Sequence, residues 1–220
     1  GFKFSQLNVQ VNEGQKIESA CPNRMDPPTA HIDIDDIQKI EIFKGPYALR
    51  FGPNFGGVVH LHTWPEKRPE NFQVNVYAST GYESAWNGMK QRLAISGGNK
   101  YFLLKLSGNY KKYGDYKDGN GNTVPSSFER YNYNALLVVT PWKKHTFTLA
   151  YDHAIGKNLD FPALPMDERL DNTNLYSFDY AFDNTGNVLE YQSVGRDIPL
   201  LEKAGEQPGK SRQALETLVQ

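Results

Sequence analysis

The chain has a single cysteine, Cys21, so no disulfide framework can form within it. It has no apolar run approaching the roughly 18 to 20 residues that a membrane-crossing helix needs. If it enters a bilayer, it must do so as strands. Neither sign of charge dominates: 24 Lys and Arg stand against 25 Asp and Glu among 220 residues. That balance leaves out the basic footprint of a nucleic-acid binder. Also missing are a nucleophile–base pair, a phosphate-cradling loop and a paired-carboxylate motif, so no enzyme is expected. The first residues lack the basic and apolar regions of a secretion signal. Such a signal is expected to have been removed, or the chain to be an internal piece.

What is abundant is aromatic. Phe, Trp and Tyr make up 13% of the residues and Tyr alone numbers 13, while apolar residues as a whole reach only 39%. Tyr has an apolar ring and a polar tip, which suits a surface that meets an interface.

The first 64 residues read as mixed α/β. Alternating runs at Phe2–Gln6 and Leu7–Val11 meet a turn at Asn12-Glu13-Gly14, and a proline-punctuated loop, Cys21 to Pro28, follows. Residues 31–39 are expected to form a short helix. Its acidic first turn, Asp33, Asp35 and Asp36, would complement the helix dipole and remain solvated. Ile40-Glu41-Ile42-Phe43-Lys44 alternates as a strand, and a glycine-rich turn over 52–57 leads into a second, Val58 to Thr63. Pro65-Glu66-Lys67-Arg68-Pro69 reads as a stiff polar linker.

Beyond it six strand-like runs of about ten residues appear: Phe72–Gly81, Gly88–Gly97, Tyr101–Lys111, Phe128–Thr140, His145–His153 and Asn174–Phe182. Ten residues is about the length of a tilted strand that crosses a bilayer. Tyr131, Tyr133, Ala135, Leu137 and Val139 share one face of the fourth run, opposite Arg130, Asn132 and Asn134. Phe147, Leu149 and Tyr151 alternate with Thr148 and Asp152 in the fifth. Soluble antiparallel sheets alternate as well, so the connections carry weight. Short turns at 98–100, 142–144 and 183–186 interleave with longer loops at 82–87, 112–127 and 154–173, the asymmetry of an outer-membrane barrel. The expected fold is mainly β: a partial transmembrane antiparallel β-barrel of six or seven strands. So few strands would leave edges unsatisfied in lipid, so the chain is expected to be incomplete.

The segments Ile40-Glu41-Ile42-Phe43-Lys44-Gly45-Pro46 and Leu49-Arg50-Phe51-Gly52-Pro53-Asn54-Phe55-Gly56-Gly57-Val58-Val59 resemble the end of the plug domain of TonB-dependent outer-membrane receptors. Lys44, Gly45, Pro46, Arg50, Gly52, Gly56 and Gly57 are the positions that match that signature. The resemblance implies a plug ending within residues 1–64, a linker over 65–71, barrel strands over 72–193 and an unassigned tail, 194–220. It further implies the outer membrane of a Gram-negative bacterium, contact with its lipid, and energy coupling through a TonB–ExbB–ExbD complex. Nucleic acid is not expected as a partner; a surface protein assembly is a further partner to consider.

Cys21-Pro22-Asn23-Arg24-Met25 supplies the sharpest cargo hint. On one helical turn, positions i and i+4 present both sulfurs on one side, and thiolate with thioether is a soft donor set that favours Cu(I). The pair is similar to the Cys-x-x-x-Met of the copper-import branch of this family, which implies copper as cargo and Met166, between the prolines of its loop and Asp167, as a loop ligand. The bland alternative is that Cys21 and Met25 merely pack a plug loop. Met89 shares parity with Leu93 and Ile95 and is expected to face lipid. His60 and His62 share one strand face, a spacing open to metal chelation but also to packing. Asp160, Asp167, Glu168 and Asp171 make the Met166 loop acidic. A second cargo class is an organic chelate such as a siderophore, with Trp86, Tyr113 and Tyr116 as contacts.

Overall fold

The computed structural model describes residues 8–12, 15–16, 31–52, 56–63, 68–162, 167–184 and 187–197. Among the described residues there are two principal sheets and one small hairpin. The first sheet comprises β1 (Asn8–Val11), β2 (Gln15–Lys16), β3 (Lys39–Phe43) and β4 (Val58–His62). Its order is β2-β1-β4-β3, with β1 parallel to β4 and the other pairs antiparallel. Val9, Val11, Leu61 and Ile32 form its buried cluster.

The expected helix over 31–39 is absent. Only Ile34–Asp36 turns, as a single 3₁₀ turn, and the chain is already a strand at Lys39. Asp33 caps this turn, its Oδ1 accepting from the Asp35 N–H at 2.8 Å. Ile37 is extended at φ −74°, ψ 124°, because pairing of 39–43 with β4 outweighs one further helical hydrogen bond. The Phe2–Gln6 run lies outside the described residues, as does the tail from 198 onward. Residues 194–197, placed in the tail by sequence, instead complete the last strand of the second sheet, paired along residues 174–177.

The second sheet is a seven-stranded antiparallel meander. Its strands are β5 (Gln73–Glu83), β6 (Gly88–Gly98), β7 (Phe102–Tyr113), β10 (Phe128–Trp142), β11 (His145–Leu159), β12 (Glu168–Asn184) and β13 (Asn187–Asp197). A hairpin, β8 (Tyr116–Lys117) with β9 (Thr123–Val124), sits in the connection between β7 and β10. The strands run from 11 to 17 residues, longer than expected. Their ends carry polar residues such as Lys157, Asn158 and Asp171, which continue the ladder past the apolar band and shorten the last long loop to 160–167.

This sheet has its apolar side outward. Leu93, Leu106, Tyr133, Leu137, Leu149, Tyr176 and Phe178 are exposed, whereas Asn109, Asn132, Thr148, Thr173, Ser177 and Asp179 are buried. A soluble sandwich would show the reverse; an arrangement with its greasy face to lipid and its polar face to a filled lumen requires this one. Met89 is 40% exposed and lies on the outward side with Leu93 and Ile95. On the inward side Leu103, Leu136, Val138 and Ala150 cluster near the short turns, and Leu175 and Ala154 are buried further along the strands. Tyr101 and Trp142 stand exposed at that same end.

Candidate functional site

The plug signature is read most directly in its glycines. Lys44 caps a 3₁₀ helix, Gly45–Phe51, with Pro46 in its first turn. Gly45 and Gly52 take φ of 67° and 92°, and Gly52 N–H closes the helix on the Leu49 carbonyl at 3.1 Å. Gly57, at φ 113°, lies so close to β3 that a Cβ there would sit 2.7 Å from the Phe43 oxygen. A side chain at 57 would therefore be refused twice, by conformation and by contact. Arg50 and Gly56 complete the segment, Arg50 within the 3₁₀ helix and Gly56 half-buried beside Gly57.

These turns set the small sheet against the polar side of the large one, and the acidic turn at 33–36 makes the contact. Asp36 is 1% exposed and Asp33 5%, so the expectation of a solvated acidic turn is overturned. Asp36 Oδ1 accepts from Arg92 Nη2 of β6 at 2.9 Å and from Ser107 Oγ of β7 at 3.3 Å. Its Oδ2 accepts from Asn109 Nδ2 at 2.6 Å. Lys111 Nζ donates to Asp33 Oδ1 at 2.6 Å and lies 2.8 Å from Asp35 Oδ2. Burial pushes the Asp36 carboxyl above the ordinary aspartate value, against the opposing pull of Arg92. The half-exposed Asp35 is instead held below it, chiefly by its hydrogen bond from Lys111.

Two further contacts extend the lock. Lys105 Nζ donates to the Thr63 carbonyl at 2.8 Å. His31, 2% exposed, has Nδ1 3.2 Å from Thr173 Oγ1 and 3.7 Å from Asp171 Oδ2, both on β12. Asp171 is thus a buried lumen residue and not part of an acidic outer loop. Three strands of the large sheet, β6, β7 and β12, hold the small one, β7 most heavily. No signal local in sequence points to these pairings, whose members lie 42 to 142 positions apart.

Beside the lock, Glu41, His60 and His62 each bring one donor atom within 4.8 Å of the others. His62 Nε2 is 2.8 Å from Glu41 Oε2, and Lys39 Nζ is 3.1 Å from Glu41 Oε1. These contacts, the His62 bond first, hold the partly exposed Glu41 carboxyl below its usual range.

At the long-loop end an aromatic group closes around Glu83. Trp86 stacks edge-on with Tyr113 at 5.6 Å and with Tyr116 at 5.9 Å. Trp86 Nε1 and Tyr113 Oη donate to the two Glu83 oxygens at 3.1 and 3.2 Å. The three aromatics considered for an organic chelate therefore do come together. Cys21, Met25 and Met166 lie outside the described residues, so their mutual placement is not part of this geometry.

No family model matches the chain. Two curated relatives align over 95 residues, the ferric aerobactin receptors of Klebsiella pneumoniae (30% identical) and Escherichia coli (28%). That stretch is 42% of this chain and 13% of either receptor. Among solved structures, the copper transporter OprC superposes with a TM-score of 0.77 at 29% identity, covering 86% of this chain and 29% of that one. The siderophore receptor PirA from Acinetobacter baumannii gives 0.61 at 17% identity over 84% of this chain and 31% of its own, a likeness of fold alone. The chain spans less than a third of the length of each of these relatives. All are receptors or transporters, in accord with the expectation that this is no enzyme. Together with the outward apolar wall and the glycine turns of residues 45–57, these likenesses support a fragment of a TonB-dependent outer-membrane receptor.

Proposed function

We propose that the intact receptor imports copper across the outer membrane, capturing it with Cys21 and Met25 of the plug and Met166 of the loop between β11 and β12. The observation that carries this reading is the 29% identity over 86% of the chain with a copper transporter, in a sequence that also holds a Cys-x-x-x-Met pair. Copper is the transported substrate here, and the soft sulfur donors favour its cuprous form. Energy would come from TonB–ExbB–ExbD through a part of the receptor outside this chain. Transport requires the lock of Asp33, Asp35 and Asp36 on β6 and β7 to open, because those pairs fix the plug in the lumen.

The direct test is Cu(I) binding by the purified full-length receptor carrying Cys21→Ala, Met25→Ala or Met166→Ala. Loss of roughly tenfold or more in affinity is expected for each plug variant. Unchanged affinity in both plug variants removes the site.

A second reading has its own support. The curated relatives are ferric aerobactin receptors, and Trp86, Tyr113 and Tyr116 form one aromatic surface at the long-loop end. In that reading the cargo is an organic iron chelate, and competition by such a chelate on the metal-free receptor selects it.

A further inference from the structure

Antiparallel pairing sets Glu41 of β3 directly opposite His60 of β4, and His62 lies two residues along on the same face. The two imidazole centroids are 4.2 Å apart. Two neutral imidazoles and a carboxylate around one point form a donor set for a borderline divalent transition ion.

The surroundings of His60 resemble those of a ligand already oriented. Its Nε2 meets the Asn12 backbone carbonyl, and a carbonyl can only accept, so Nε2 carries the proton and Nδ1 the lone pair. Asn12 cannot swing away. It holds a left-handed φ of 50° and is clamped by its side chain, with Nδ2 donating to Thr63 Oγ1 at 2.9 Å and Oδ1 accepting from Thr63 N–H at 2.9 Å. A metal-bound histidine characteristically donates its other N–H to such a carbonyl, which fixes ring orientation and raises basicity. Phe51 stands edge-on to His60 at 5.5 Å and supplies an apolar wall.

The other two donors can move. The Glu41 and His62 side chains are 33% and 21% exposed, and β3 is an edge strand of its sheet. Donors spread within 4.8 Å must close to about 3.3 Å around an ion bound at roughly 2.0–2.1 Å. Side-chain rotation of these two residues supplies that. An ion would displace the hydrogen now shared between His62 Nε2 and Glu41, and the neutral imidazole would then carry its one N–H on Nδ1 instead.

We propose that Glu41, His60 and His62 form a binding site for a divalent transition metal ion on the plug, separate from the Cys21/Met25 pair, with Cu²⁺ the tightest-bound first-row ion. The Irving–Williams order gives that preference. The site does not depend on the cargo being copper, since no sulfur donor takes part.

The test uses full-length receptor in detergent with Cys21→Ala and Met25→Ala already present, titrated with CuSO₄ and followed by electron paramagnetic resonance and calorimetry. One equivalent of Cu²⁺ coupled to two nitrogen nuclei is expected. His62→Gln should remove one nitrogen and weaken binding roughly tenfold or more, while Glu41→Gln should weaken it several-fold and keep both nitrogens. Both positions are partly exposed, so each variant should fold, and heat-modifiable migration on gels confirms it. No stoichiometric Cu²⁺, or an affinity and spectrum indifferent to His62→Gln in folded receptor, overturns the proposal. Because the sulfur pair is absent throughout, failure here leaves the Cu(I) result standing, and the reverse.

Discussion

Arg92 reaches Asp36 across 56 positions of sequence and closes to 2.9 Å, while Asp36 keeps only 1% of its surface exposed. One carboxylate thereby ties a plug turn to the β6 strand of the wall. Asn109 and Ser107 donate to two more of its lone pairs, which is what a buried charge needs to be tolerated.

Removing Arg92 should therefore cost more than the pair itself contributes, since Asp36 would stay buried without its cation. Breaking such a pair costs roughly 3–5 kcal/mol; with two neutral donors still in place, the lower figure is expected. That corresponds to about a hundredfold more frequent opening of residues 31–37. Hydrogen exchange on the intact Arg92→Ala receptor should show it, with the strands of the wall unaffected. Protection equal to wild type would mean that the plug is held elsewhere.

Gly57 and Gly45 make a paired test of the signature. Both have positive φ, yet only Gly57 faces a backbone oxygen 2.7 Å from the missing Cβ, whereas nothing lies within 4 Å at Gly45. Gly45→Ala should cost about 1 kcal/mol from conformation alone. Gly57→Ala adds displacement of β3 and should cost about 3 kcal/mol or more. Denaturant midpoints of the intact receptor should rank the variants in that order; equal effects would mean that contact at 57 is unimportant.

Asp35 gives the lock a pH dependence of definite sign. Its carboxyl is held below the ordinary 3.8 by Lys111, so the folded state binds its proton less readily than the unfolded chain does. The contribution is present above pH 3.8 and lost as pH falls through the lowered value. Asp36 shifts the other way, so wild type must be compared with Asp35→Asn, which leaves Asp36 in both. The difference in plug protection between them should be constant near neutrality and shrink below pH 4. A difference that grows on acidification would contradict the Lys111 pairing.

Parts of this design are readable in sequence and parts are not, for physical reasons. Alternation at Tyr133, Leu137 and Leu149 against Asn132 and Thr148 is legible because lipid and lumen act on every residue of a strand. Strand length is less so: hydrocarbon imposes apolar residues over about ten positions, and beyond that β11 and β12 continue with polar side chains indistinguishable from a loop. Asp33, Asp35 and Asp36 read as a solvated turn because nothing nearby in sequence announces Arg92, Asn109 or Lys111. The His60/His62 spacing is visible at once, but Glu41 joins it only through the β3–β4 register, and the Asn12 clamp only through β1.

The outward apolar face has the most exposed consequence. Leu137 pairs with Leu104 and Leu149 on neighbouring strands, all three on the outward side and exposed. An arginine at 137 would place its charge among hydrocarbon tails, at about 2–4 kcal/mol near the midplane of the bilayer. Asn132, five residues earlier in β10, points to the lumen and is 5% exposed. Asn132→Asp faces polar neighbours and lacks that hydrocarbon penalty. In lipid vesicles Leu137→Arg should lower the denaturant midpoint more than Asn132→Asp, and a tryptophan at 137 should be quenched by brominated lipid chains while one at 132 is not. Quenching at 132 instead would turn the wall inside out, and the docked plug with it.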